Sequence, residues 1–175
     1  MSDNPAAVPV VSIVGKAGSG KTTFLEKLIA ELSNRGVLVA TVKHYLHDYD
    51  TDVPGKDSWR HAQAGSVVAM VSSPKKLSLV QKVQREMTLA ELARVAADAG
   101  SDILLTEGYK REGVNRVEIL RRGASAGLLS NADELLALVT DMPEAAPQGT
   151  AVFGLEDVSG VADLVQSQFL GMKGA

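Results

Sequence analysis

The octapeptide Gly15-Lys16-Ala17-Gly18-Ser19-Gly20-Lys21-Thr22 constrains this chain more tightly than any other feature, because the pattern G-x-x-x-x-G-K-[ST] has meaning only between a strand and a helix. Both flanks comply. Residues 8–14 are apolar and rich in valine, as in a buried strand of a parallel sheet. Beyond Lys21 the residues Phe24, Leu25, Leu28, Ile29 and Leu32 recur at helical spacing, with Glu26, Lys27, Glu31 and Asn34 on the other face, and Gly36 fits a C-terminal cap. The glycines allow backbone N–H groups to turn inward around phosphate oxygens, and the helix points its positive end at the same anion. The phosphate site is therefore expected to comprise Gly15, Lys16, Ala17, Gly18, Ser19, Gly20, Lys21, Thr22 and Thr23, with Lys21 on the β and γ phosphates and the Thr22 hydroxyl on Mg²⁺. The alternative is a glycine-rich turn that holds no ligand.

The remainder reads as more of the same architecture. Strands are expected over residues 37–42, 67–71, 77–80, 102–106, 117–120, 137–140 and 151–153, and helices over 58–64, from Thr88 onward and over 158–170. Thr88 with Glu91 three residues on has the spacing of a capping box. The fold class is α/β, a P-loop NTPase fold with a mostly parallel sheet flanked by helices and a few short additional strands. No repeat or linker divides the 175 residues, so one nucleotide-binding domain over 1–175 is expected. The net charge of −3 offers no bulk attraction to nucleic acid, and none is expected as a partner. The absence of cysteine removes thiolate and disulfide chemistry. No apolar run approaches the roughly 20 residues of a membrane span, and the N-terminus lacks the pattern of a secretory signal, so no membrane association and a cytoplasmic location are expected.

Phosphoryl chemistry at such a loop needs a carboxylate near the metal from a neighbouring strand end. Ile103-Leu104-Leu105-Thr106-Glu107 is an apolar strand ending in an acid, which puts Glu107 at the carboxyl edge of the sheet, where such sheets bind ligands. Asp102 begins that strand and belongs at the opposite edge. The long polar segment 44–65 offers Asp48, Asp50 and Asp52, of which Asp48 is a further candidate metal ligand, directly or through water. His44, His47 and His61 have no spacing that matches a transition-metal site. Lys16 is similar to the signature lysine of the deviant phosphate loops in dimeric ATPases and GTPases, which reaches a partner's phosphates, although Ala17 departs from that pattern; the alternative is an ordinary exposed lysine. Lys21, Glu107 and Lys16 are thus the candidate catalytic residues.

The stretch Val42-Lys43-His44-Tyr45-Leu46-His47-Asp48-Tyr49-Asp50-Thr51-Asp52, with Pro54-Gly55-Lys56-Asp57-Ser58-Trp59-Arg60-His61 and Ala64-Gly65, resembles the hallmark loop of the MobB family, the molybdopterin-guanine dinucleotide biosynthesis adaptor proteins. Glu107-Gly108-Tyr109-Lys110 resembles that family's E-G-[FY]-K segment, so the resemblance covers about residues 10–141. It implies a GTP-binding, weakly hydrolysing protein with Mg²⁺, commonly a homodimer, that assists the MobA nucleotidyltransferase in joining GMP to molybdopterin. A second anionic ligand such as molybdopterin is one reading of the segment from Pro54 to Arg60, closure over the triphosphate the other. The N-K-x-D pattern that reads guanine in many GTPases is absent, and Asp141, at the end of a late strand, is the candidate to accept from guanine N1 and N2, or else a turn aspartate. Two other readings remain open: a small-molecule kinase, with a lid drawn from Arg60, Arg111, Arg116, Arg121 and Arg122, and a partner-binding module switched by ATP.

Overall fold

A computed structural model describes residues 7–45, 47, 52–109, 111–124 and 127–171. The chain divides into two compact units, one formed by Met1–His44 with Thr88–Ala175 and the other by Tyr45–Met87. The first unit carries a six-stranded sheet in the order β2-β5-β1-β6-β7-β8, all strands parallel. The strands are β1 (Val10–Val14), β2 (Val39–Lys43), β5 (Ile103–Glu107), β6 (Arg116–Leu120), β7 (Leu135–Thr140) and β8 (Ala151–Phe153). Because they run the same way, their carboxyl ends and the loops that follow gather along one edge.

Helices α1 (Lys21–Asn34) and α4 (Val158–Val165) cover one face, where Leu28, Leu32, Val161 and Val165 pack on Val11, Ile13, Leu105, Val117 and Val139. Helix α3 (Leu89–Asp98) covers the other, with Ala93 and Ala96 against Val10 and Leu104. Strand alternation decides which face each residue takes: Ile103 and Leu105 belong to the α1 side and Leu104 to the α3 side. Helix α1 stops because Gly36, at φ +80, takes the left-handed turn of a Schellman cap, with its N–H on the Ser33 carbonyl and the Val37 N–H on Leu32. Arg35, at that same end, bonds Glu31 and reaches across to Asp163 and Gln166 at 2.5 and 2.8 Å, joining α1 to the end of α4.

The expected strands and helices all appear, and their boundaries move for local reasons. β2 begins at Val39 rather than at 37 because Leu38 is occupied with Asp102, which donates its N–H to the Leu38 carbonyl and accepts the Leu38 N–H on its carboxylate. The expected closing helix becomes α4 followed by a wider π turn over Gln166–Leu170. Arg116 starts β6 buried, one residue earlier than the apolar pattern indicates; its guanidinium is paired with Glu134 at 2.8 Å and donates to the carbonyls of Gly113 and Arg111. Likewise the buried Glu118 accepts the N–H groups of Leu129 and Ser130. These two charged side chains hold irregular segments.

The second unit holds α2 (Asp57–Gln63) and an antiparallel hairpin of β3 (Val68–Ser73) and β4 (Lys76–Gln81). Asp52 precedes α2 and accepts from the Ser58 hydroxyl at 3.0 Å. Met70 faces Leu79 across the hairpin and Leu77 follows on the same face, all three exposed. Asp48, Asp50 and Lys110 lie outside the described residues. Among the described residues no helix is long and apolar enough to cross a membrane.

The entry of α3 carries a direct test. The Thr88 hydroxyl accepts the Glu91 N–H while the Glu91 carboxylate accepts the Thr88 N–H at 2.9 Å. Thr88→Ala is expected to lower stability by about 1 kcal/mol, and Thr88→Ser to retain most of it, as read by thermal or urea unfolding.

Candidate phosphate and metal site

The loop after β1 has the backbone that its sequence demands. Gly15 sits at φ +146, and a Cβ there would stand 2.6 Å from the Ile119 carbonyl oxygen and 2.8 Å from Ser19 Oγ, so the chain passes too close to β6 for any side chain. Gly20, the residue before α1, provides no side-chain cap, and the first turn of the helix contains no acid. The helix itself thus supplies no capping side chain for the amide donors at this end. Ser19 adds a hydroxyl oxygen that is buried with no hydrogen-bond partner among the described residues. An orphan hydroxyl, a capless helix start and a glycine cradle together fit an anion rather than a ligand-free turn.

Two lysines belong to the loop. Lys21 turns back over the loop and donates to the Lys16 carbonyl at 2.7 Å, while the Ser19 N–H donates to the same carbonyl at 3.2 Å. The Lys16 side chain is half-buried; Ala17 and Gly18 are exposed at the loop's tip.

The carboxylate is where strand order and alternation put it. Glu107 ends β5, level with Ile13 of β1 and Lys43 of β2, and shares with Leu105 and Ile103 the face on which α1 lies. Thr22, in the first turn of α1, donates its hydroxyl to Glu107 Oε1 at 2.8 Å. The Lys43 ammonium stands 3.8 Å from the same oxygen. Glu107 is only 8% exposed, so it is not a solvated strand-end acid. A hydroxyl and a carboxylate are hard oxygen donors suited to Mg²⁺, which ordinarily keeps several waters and phosphate oxygens besides its protein ligands. Asp102 lies at the other edge with Leu38, as its place in the strand requires.

Neighbouring groups keep Glu107 in position. Its carbonyl accepts the His44 N–H at 2.9 Å, and the His44 ring stacks on Tyr109 with centroids 4.6 Å apart. Among the described residues no three or more His, Cys, Asp or Glu side chains are grouped to hold a metal ion. Lys43 is a site-side cation the sequence reading did not single out, and Arg121 entered it only as one of the candidate lid arginines. Lys43 was legible only once β2 was placed beside β5. Arg121 follows the last residue of β6 and lies against the phosphate loop, its Nη2 3.7 Å from where a Cβ on Gly20 would stand. Asp141, beyond β7, is exposed and accepts the Arg122 N–H at 2.8 Å.

Comparison with known proteins agrees with this geometry. The family described as Molybdopterin guanine dinucleotide synthesis protein B matches residues 10–141, which include the phosphate loop and Glu107. The molybdopterin-guanine dinucleotide biosynthesis adapter protein of Haemophilus influenzae is 34% identical over 136 residues, covering 78% of this chain and 76% of the relative. That of Escherichia coli is 32% identical over 166 residues, 90% of this chain and 91% of the relative. The crystal structure of Bacillus subtilis MobB superposes with a TM-score of 0.71 at 30% identity, over 93% of this chain and 99% of that one. A P-loop fold with its phosphate loop intact, a family match across most of its length and these relatives together establish that the chain belongs to the MobB family of molybdopterin-guanine dinucleotide biosynthesis adapter proteins.

Proposed function

We propose that the chain binds GTP with Mg²⁺ at residues 15–23, hydrolyses it slowly, and serves as the nucleotide-holding adapter of a MobA-type guanylyltransferase that joins GMP to molybdopterin. The Thr22–Glu107 hydrogen bond at 2.8 Å carries this reading, because it brings the two expected metal-side oxygens together at the mouth of the phosphate loop. Mg²⁺, when bound, neutralises phosphate charge. The protein's own part is to present the amides of the loop, to set the Lys21 ammonium over the phosphates, and to hold Glu107 where it can orient a metal-bound or attacking water. Lys16 adds charge at the loop's rim. Of the arginines a kinase lid could draw on, Arg116 is buried against Glu134 and committed to backbone carbonyls, whereas Arg121 lies against the phosphate loop.

The adapter role calls for a partner enzyme, and the second unit offers surfaces for assembly. A two-stranded hairpin is marginal alone, and Met70, Leu77 and Leu79 expose 61%, 62% and 53% of their surface on one of its faces. We assign that face to a second copy of the chain. The exposed Lys56 at the start of α2 and Arg60 within it are suited to an anionic ligand such as molybdopterin.

Calorimetric titration with GTP, ATP and Mg²⁺ tests the nucleotide reading. GTP is expected to bind more tightly; Lys21→Ala should weaken it on the order of 10- to 100-fold, and Glu107→Gln should chiefly reduce the gain from Mg²⁺. Equal affinity for wild type and Lys21→Ala would contradict it. Sedimentation tests the assembly: the wild type should run as a dimer, and the double variant Met70→Lys, Leu79→Lys as a monomer that still binds nucleotide.

A further inference from the structure

The direction in which a bound nucleotide lies is fixed by which way two adjacent threonines face. Successive helical residues point about 100° apart. Thr22 faces β5 and bonds Glu107, whereas Thr23 lines a pocket on the opposite side of the loop, toward β6 and β8. If the metal and γ-phosphate end is at Glu107, the nucleoside end leaves past Thr23. The pocket there is walled by Ile119 and Leu155 and by three charged side chains, Lys27, Arg121 and Glu156. The pocket is small and open, with polar and apolar lining in similar measure, so a purine base would lie across its mouth against the charged rim rather than inside it.

The chemistry of those charges is selective. Guanine presents N1–H and N2–H as parallel donors and O6 as an acceptor; adenine presents an N1 lone pair where guanine has a proton. A carboxylate can accept both guanine donors at once but meets adenine N1 with repulsion. Glu156 is paired with the Lys27 ammonium, which holds it below the usual carboxylate range and keeps it ionised at neutral pH. A carboxylate retains accepting capacity beyond one such bond, and the ammonium at its side is a donor suited to O6. Asp141, the other acid near this edge, is engaged with the Arg122 N–H and is not among the residues lining the pocket.

We infer that the pocket of Thr23, Lys27, Arg121, Leu155 and Glu156 receives the nucleoside, and that Glu156 is the carboxylate that selects guanine over adenine. This rests on the proposal that the phosphate loop binds a nucleoside triphosphate.

The test exploits xanthine, whose C2 carbonyl replaces the guanine amine. A glutamine in place of Glu156 would accept xanthine N1–H and donate to that carbonyl. Titration of the wild type, Glu156→Gln and Asp141→Asn with GTP, XTP and ATP in Mg²⁺ is expected to show a particular pattern. Glu156→Gln should lose about 10- to 100-fold in GTP affinity, gain in XTP affinity and bind ATP more tightly than the wild type does, while Asp141→Asn keeps the wild-type preference. Unaltered discrimination in a folded Glu156→Gln protein overturns the inference and leaves triphosphate binding standing. So does an equal loss for every triphosphate, which would mark Glu156 as a structural partner of Lys27, or a transfer of the preference change to Asp141→Asn. If the wild type binds no triphosphate, or Lys21→Ala binds as well as it does, the underlying site fails and the inference falls with it.

Discussion

The hydrogen bond from Thr22 to Glu107 joins residues 85 apart in the chain, and the organisation of the site follows from it. It forms only if β5 lies beside β1, if Glu107 takes the α1 face of β5, and if α1 begins directly over the carboxyl edge of the sheet. Each condition has its own physical cause. Parallel pairing in register sets Ile13 level with Glu107, the two-residue period of the strand sends Glu107 to the side of Leu105, and Gly15 lets the loop press against the Ile119 carbonyl without a side chain in the way. A single local error in any of these would separate the hydroxyl from the carboxylate.

Around that pair the sheet distributes chemistry by strand order. The β5 and β2 side contributes Glu107 and Lys43, and the β6 to β8 side contributes Arg121 and Glu156, with the phosphate loop between them. The arrangement gives the site two chemically different ends: a buried carboxylate with a hydroxyl at one, an open pocket of mixed charge and apolar wall at the other. Behind it, Arg116 and Glu118 use buried charge to fix irregular segments, each with two hydrogen bonds to backbone groups. A lone buried charge would be costly; these are satisfied, which is why they persist in the interior.

Much of this was legible in the residues. The loop motif, the helix behind it and the placement of Glu107 against that of Asp102 follow from spacing and strand polarity alone, since only the carboxyl end of β5 can approach the loop. The capping box at Thr88 was legible because it is local. Strand order was not, because a sequence states which segments are extended but not which neighbours they choose; hence Lys43 gained meaning only with the sheet assembled, and only then did Arg121 separate from the other candidate lid arginines. The burial of Arg116 was hidden for a related reason: its partner Glu134 belongs to a 3-10 turn with no apolar periodicity. The hairpin was read as two short extended pieces, and its separation into its own sheet depends on pairing that hydrophobic pattern does not encode.

A crystal structure of the protein with Mg²⁺ and a non-hydrolysed GTP analogue would decide whether the phosphate loop and Glu107 form one metal–triphosphate site. The account predicts the phosphates within the loop of residues 15–22, Lys21 released from the Lys16 carbonyl, Mg²⁺ on the Thr22 hydroxyl with Glu107 bound directly or through one water, and the base beyond Thr23. Nucleotide bound elsewhere, or phosphates in the loop with Thr22 still donating to Glu107 and the metal held by other residues, would contradict it.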